Sequence, residues 1–124
     1  MKSIIAVSIA LFAAITSAEN PVLRFINSNE KAFVFTDVTV EIGIKTGLKR
    51  YLQGSAIDFD GRYLAQSFHL LWESRAYMCT ITFPDKPEIA YTVHSKNRYA
   101  AFSEDYTDID LATAEIKCDH SEYM

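Results

Sequence analysis

The chain has 124 residues and a formal net charge of −4. This length suits one domain with a modest core. The acidic balance argues against a protein that binds nucleic acid by charge alone, because contacts to phosphates need positive side chains. Lys45, Lys49 and Arg50 form the densest cationic cluster, so a basic patch on an acidic protein stays open.

The first 18 residues have the pattern of a secretory signal peptide. A basic start containing Lys2 precedes an apolar run over residues 4–15, and small residues follow up to Ala18. The apolar run is shorter than the roughly 20 residues that a membrane-spanning helix needs. We therefore expect residues 1–18 to be removed, a single secreted domain over 19–124, and no membrane attachment. A buried first helix is the alternative.

The predicted elements begin with a hairpin, followed by a segment that is ambiguous. Residues 22–26 and 31–35 are apolar runs separated by a polar stretch typical of a turn. Within residues 36–52, Val38, Ile42, Lys45, Leu48 and Leu52 fall on helical spacing. Val38, Val40, Ile42 and Ile44 alternate as in a strand, so the residues alone leave this segment undecided.

The second half of the chain reads as strands separated by turns. The strand candidates are residues 67–72, 76–83, 89–93, 99–103 and 114–118. The segments predicted as turns or loops are 53–61, 84–87, 95–98 and 104–110. We take the helix for 36–52 and predict an α+β fold: an N-terminal β-hairpin and one helix packed on an antiparallel sheet of four or five strands.

Cys79 and Cys118 are the two cysteines of the chain. In a secreted protein an even number of cysteines predicts a disulfide. Closing a loop of this length stabilises a protein by about 3–4 kcal/mol. No second Cys or His lies at ligand spacing around either one, so neither a metal nor a cofactor is expected.

Two segments carry a resemblance to a known family. Residues 87–93 read PEIAYTV and residues 97–102 read NRYAAF. They resemble the Pro-Gly-x-x-Arg-Val-Val and Asn-x-x-x-Gly-Val-Ile strands of fungal guanyl-specific ribonucleases and, more closely, of the RNase-like secreted effectors of powdery mildew fungi. Cys118 lies where that fold has its C-terminal cysteine. Those effectors pair it with a Tyr-x-Cys near the mature N-terminus, which this chain lacks, so we hypothesise that Cys79 replaces that partner.

The resemblance also implies where a ribonuclease site would lie. Such a site needs a general acid, a general base and cationic stabilisation of the phosphate. The family's Glu position falls at Ser67, its Arg position at Tyr91 and its catalytic His position at Asp105. The region of the other His, residues 48–51, contains no His. The resemblance therefore implies a catalytically inactive, RNase-like scaffold.

A scaffold of this kind acts by binding a partner. By resemblance the partner is a host macromolecule, more a protein than RNA. It is met outside the cell or after translocation into a plant cell, and the outcome is suppression of defence. We expect a monomer. Loops vary freely on a fixed scaffold, and Tyr tolerates half exposure. The candidate partner-binding residues are Tyr51, Asp58, Asp60, Tyr63, Glu104 and Tyr106.

Most of the other aromatic residues are expected to have structural roles. Phe33, Phe35, Phe68, Trp72, Phe83 and Phe102 are expected in the core, and Tyr91 and Tyr99 are further interface candidates. Two other functions stay open. An active ribonuclease would need a relocated site at His69 or His94. An unrelated extracellular β-rich inhibitor or adhesion module would lack a helix across its sheet.

Overall fold

A computed structural model describes residues 20–28 and 33–121. Of these residues 53% lie in β-strands and 7% are helical. The predicted signal peptide and part of the first predicted turn lie outside the described residues. The strands are β1 (Val22–Asn27), β2 (Val34–Thr39), β3 (Thr46–Gly47), β4 (Asp58–Phe59), β5 (Arg62–Ala65), β6 (Ser67–Leu70), β7 (Tyr77–Phe83), β8 (Lys86–Val93), β9 (Tyr99–Ala101), β10 (Ile109–Asp110) and β11 (Glu115–His120).

The strands form three antiparallel sheets. The first sheet has the order β2-β1-β6-β9, the second β10-β5-β4, and the third β3-β11-β7-β8. The predicted N-terminal hairpin is confirmed, since β1 pairs with β2. Strand β7 alternates buried and half-buried residues along its length, as expected for a strand with one face toward the core.

One hydrophobic core joins all three sheets. At its centre the rings of Phe25, Phe68 and Phe102 stack, with centroids 5.8 and 5.3 Å apart. Tyr91 on β8 meets the Phe102 ring edge-on at 5.0 Å and donates its hydroxyl hydrogen to the Phe102 carbonyl at 2.8 Å. This contact ties the third sheet to the segment that follows β9.

The predicted packed helix over residues 36–52 is wrong, and so is the α+β fold. Strand β2 continues to Thr39, β3 pairs with β11, and one helical turn remains, α1 (Lys49–Leu52). The strand alternation wins because it places Val38 and Val40 in the core, whereas α1 buries only Leu52. The described chain is therefore mostly β, without a helix that covers a sheet.

The predicted disulfide between Cys79 and Cys118 is confirmed. The two residues lie directly opposite each other on β7 and β11, and both are fully buried. Strand β7, within the predicted strand 76–83, therefore lies beside the C-terminal strand β11. The bond links the two central strands of the third sheet.

Residues 53–61, predicted as a loop, end in a short hairpin. Strand β4 pairs with β5 through the two-residue connection Asp60-Gly61, and both residues have positive φ, 57° and 87°. Asp-Gly is the dipeptide favoured where both turn residues need positive φ. The Asp58 carboxylate accepts hydrogen bonds from the backbone N–H groups of Gly54 at 2.7 Å and Gly61 at 2.8 Å. These bonds close the loop onto the turn.

Replacing Cys79 and Cys118 together by alanine is expected to lower the free energy of unfolding by about 3 kcal/mol, because the unfolded chain loses a long-loop restraint. Urea unfolding followed by far-ultraviolet circular dichroism measures the change, since Trp72 is too exposed to report on the core. The reduced unsubstituted chain is the control and should unfold like the double variant. A loss of less than about 1 kcal/mol would contradict the expectation.

Candidate functional site

The three positions inferred from ribonucleases hold a buried serine and two side chains that are hydrogen-bonded within the fold. Ser67 is buried on β6, and the Tyr91 hydroxyl is engaged by the Phe102 carbonyl. Asp105 accepts hydrogen bonds from the hydroxyls of Ser103 at 2.9 Å and Thr107 at 3.2 Å. These bonds, first that of Ser103, hold the pKa of Asp105 below its usual range. Each position thus carries a side chain that the fold itself uses.

The predicted partner-binding residues do not share one role. Tyr63 is only 2% exposed, so it belongs to the core and not to an exposed surface. The Asp58 carboxylate is engaged within its own loop, and the Tyr51 hydroxyl accepts a hydrogen bond from a backbone N–H at 3.3 Å. Asp60 and Glu104 are exposed. The sixth candidate, Tyr106, lies beside a sheet surface that was not among the predicted binding loops.

That surface is the outer face of the first sheet. Asp37, Arg24, His69 and Tyr99 form one row across its four strands. The Arg24 guanidinium pairs with Asp37 through two hydrogen bonds, of 2.7 and 3.0 Å. The His69 ring meets the Tyr99 ring edge-on at 4.8 Å. Because side chains alternate along a strand, this row lies opposite the buried aromatic stack.

Exposed aromatic side chains gather on this face and at its edges. Phe35 lies under the Arg24 guanidinium at 4.2 Å, and the Phe33 ring is 5.9 Å from it. At the other edge Tyr106 shares a hydrogen bond with Tyr99. We define the aromatic face as Phe33 (60% exposed), Phe35 (42%), Trp72 (57%), Tyr99 (38%) and Tyr106 (51%). They are five of the six large exposed apolar or aromatic side chains among the described residues.

A groove of about 370 Å³ lies at the β9 end of the aromatic face. Its lining residues are His69, Trp72, Ser95, Lys96, Asn97, Arg98 and Tyr99. Two guanidiniums stack on the Trp72 ring, that of Arg75 at 4.7 Å and that of Arg98 at 4.8 Å. Cation–π pairs of this kind hold an arginine in place, and Arg75 is held further by a hydrogen bond from its Nη to the Trp72 carbonyl at 3.4 Å.

Backbone and side-chain hydrogen bonds fix the walls of this groove. The Ser74 hydroxyl, which is buried, accepts the backbone N–H of Val22 at 2.7 Å and anchors the 3-10 turn Trp72–Ser74 to β1. The backbone N–H of Leu70 donates to the Arg98 carbonyl at 2.7 Å. Residues 94–97 form a turn bonded in both directions. The groove is therefore built before any ligand arrives.

Tyr106 is held in an unfavourable backbone conformation. Its φ is 56°, a left-handed value that non-glycine residues rarely adopt and that costs about 1–3 kcal/mol. The buried Gln66 side chain compensates, because its amide donates to the Tyr106 carbonyl at 3.0 Å while its oxygen accepts the Ser28 backbone N–H at 3.0 Å. The hydrogen bond to Tyr99 raises the pKa of Tyr106. The fold thus holds this ring beside the sheet despite the strain.

Sequence reasoning assigned Phe33, Phe35 and Trp72 to the core, and the structure exposes all three. The alternation of polar and apolar residues along β2 contains the information that predicts the exposure of Phe33 and Phe35. Phe33 and Phe35 have the parity of Asp37, whereas Val38 has the opposite parity and is buried. A charged residue such as Asp37 is expected to face solvent, so residues of the same parity, Phe33 and Phe35, are expected to face solvent as well. The other aromatic residues of that set, Phe68, Phe83 and Phe102, are buried as expected.

Comparisons with protein-family models, with curated proteins and with solved structures found no match. Among residues 20–28 and 33–121 no group of three or more His, Cys, Asp or Glu side chains is placed to hold a metal ion. In the same part of the chain no helix is long and apolar enough to cross a membrane.

His69 is expected to titrate below the ordinary histidine pKa of about 6.5. Partial burial lowers its pKa first, and the positive charges of Arg24 and Arg98 lower it further. Because the folded pKa lies below the unfolded one, the contribution of His69 favours folding less as the pH falls through about 6.5. Nuclear magnetic resonance titration of the imidazole measures this. Arg98→Gln should raise the His69 pKa.

The matched control is Arg62→Gln, which removes an exposed arginine from the second sheet. It should leave the His69 titration unchanged. A His69 pKa above the ordinary value would contradict the geometry described here.

Asp58→Ala is expected to open the loop that ends in the β4–β5 turn. The hydrogen bonds from Gly54 and Gly61 lower the pKa of Asp58, so the charged carboxylate favours the folded loop. This contribution is present above the unfolded pKa and is lost as the pH falls through the lowered folded value. Faster hydrogen exchange of the Gly54 and Gly61 amides measures the opening. Asp60→Asn, which keeps the turn, should leave their exchange unchanged; equal effects in both variants would contradict the assignment.

Proposed function

We propose that this chain is a secreted protein-binding module whose recognition surface is the aromatic face. The observation that carries the proposal is the clustering of exposed Phe, Tyr and Trp rings with arginines on one face of a four-stranded sheet. Monomeric proteins rarely expose a large contiguous apolar patch unless it binds something.

The composition of the face matches the residues that contribute most to protein interfaces. Trp, Tyr and Arg are enriched among such residues, and each aromatic ring brings a large contact area with few rotatable bonds. Tyr99 lies on a strand, and Trp72 is anchored to β1 through Ser74. Binding to a partner therefore orders little additional chain, which lowers the entropic cost of association.

Two further observations support a secreted β-rich module. A buried disulfide between Cys79 and Cys118 is of the kind that persists in oxidising compartments. A mostly β structure without a helix across a sheet is also what an extracellular inhibitor or adhesion module was expected to have. The role in suppressing plant defence rests on the resemblance to powdery mildew effectors, whose packed helix this fold lacks.

A second candidate function is a ribonuclease with a relocated site. It is favoured by one observation, that His69 lines the same groove as Lys96 and Arg98. A neutral imidazole next to two cations has the elements of a general base and of phosphate stabilisation. Incubation with total RNA distinguishes the two functions. Cleavage that is lost in His69→Ala would establish the ribonuclease, and intact RNA would leave the binding module.

The binding proposal is tested with peptides selected from a random phage-displayed library against the immobilised, oxidised chain. We expect the selected peptides to bind about tenfold more weakly to Trp72→Ala and to Phe35→Ala, because each change removes an exposed ring that the bound peptide would cover. The control is Ile44→Ala, which truncates a 48% exposed side chain outside the aromatic face, and it should change affinity less than about twofold. Selected peptides that lose nothing in either aromatic variant would contradict the proposal.

A further inference from the structure

We propose that the groove beside Trp72 receives the carboxylate side chains of an acidic peptide segment in the partner protein. The inference rests on the proposed function, because it names the chemistry of a ligand for one end of the same surface. The rest of the aromatic face would pack against apolar side chains of that segment.

Arg98, which lines the groove, and its neighbour Arg75 differ from Arg24 of the first sheet in having no carboxylate partner. Arg24 is paired with Asp37 at 2.7 Å. Within residues 20–28 and 33–121, no carboxylate oxygen lies within 4.0 Å of the Arg75 or Arg98 guanidinium. Both are instead stacked on Trp72. Arg75 also donates from one Nη to the Trp72 carbonyl at 3.4 Å. Arg98 is therefore the guanidinium left to bind a carboxylate through two parallel hydrogen bonds.

The remaining lining residues reinforce the selection for a negative group. Lys96 adds a second positive charge, and His69 and Asn97 add polar ring and amide groups. No Asp or Glu is among the lining residues, although Glu73 follows Trp72 in the chain. Leu70 and Ser74 fix the backbone on both sides, so a ligand does not have to order the groove.

The charge distribution outside the groove favours a short acidic peptide over a nucleic acid. The chain as a whole carries a formal charge of −4. Residues 103–110 border the aromatic face through Tyr106, and they include four carboxylates, of Glu104, Asp105, Asp108 and Asp110. A nucleic acid carries one charge per nucleotide and needs a long positive track, so its strand would meet these carboxylates beyond the groove. A peptide with one or two acidic side chains needs only the groove.

The test uses a fluorescein-labelled peptide of alternating Glu and Tyr residues and the oxidised chain, with fluorescence anisotropy as the readout. The neutral control probe has Gln in place of Glu, and a labelled oligouridylate is the polyanion probe. We expect the Glu peptide to bind more tightly than both, and its affinity to fall as salt rises. Amide shift changes should map to residues 69–72 and 95–99.

Arg98→Gln should weaken binding of the Glu peptide about fivefold, because the guanidinium is the preferred partner of the carboxylate. Lys96→Gln, on an exposed turn, serves as the second variant in case Arg98→Gln folds poorly, and it should also weaken binding. Arg62→Gln is the matched control and should leave the affinity unchanged. Equal weakening by all three changes, or tighter binding of the oligouridylate, would overturn the inference.

The outcomes separate this inference from the proposed function. Suppose that phage-selected peptides depend on Trp72 and Phe35 while the Glu peptide does not bind. The acidic-ligand inference then fails and the binding module stands. Suppose instead that neither the selected peptides nor the Glu peptide bind; both then fail.

Discussion

The stack of Phe25, Phe68 and Phe102 is the contact on which the rest of this structure depends. It sets the register of β1 and β6 and of the segment after β9, because the three rings fit together in one alignment of these elements. Side chains alternate along a strand with a period of two. Fixing these rings inside therefore fixes Arg24 and His69 outside. The core and the candidate recognition surface are two consequences of one register.

Much of the strand framework was readable from the sequence. The first hairpin, the strands around residues 76–83 and 89–93, and the cross-strand disulfide all follow from local alternation, turn residues and cysteine count. The segment 36–52 failed because helical and strand spacing fit it equally well. A long-range interaction decides the conformation of this segment, because β3 pairs with β11, which lies almost 70 residues further along the chain. Local pattern contains no information about that pairing.

The candidate site was only partly readable. Tyr106 is exposed as its position in a polar loop predicts, whereas Tyr63 is buried, although the same reasoning treats every loop-adjacent tyrosine as exposed. Trp72 was assigned to the core from its hydrophobicity alone. Its exposure follows from the Ser74 anchor and the two stacked arginines, and those contacts exist only after folding. Composition alone therefore assigns exposed aromatic residues such as Trp72 to the core.

The position of the disulfide has a consequence for how the surface survives outside a cell. The covalent ring closed by Cys79 and Cys118 includes the turns at residues 84–85, 94–97 and 103–107. Exposed turns are where proteases first cut a folded chain. A single cut in any of these turns leaves both fragments joined through the sulfur bridge. After a cut at residues 84–85 or 103–107, β9 is still paired with β6 and residues 95–98 before it are intact, so the nicked molecule keeps both walls of its groove.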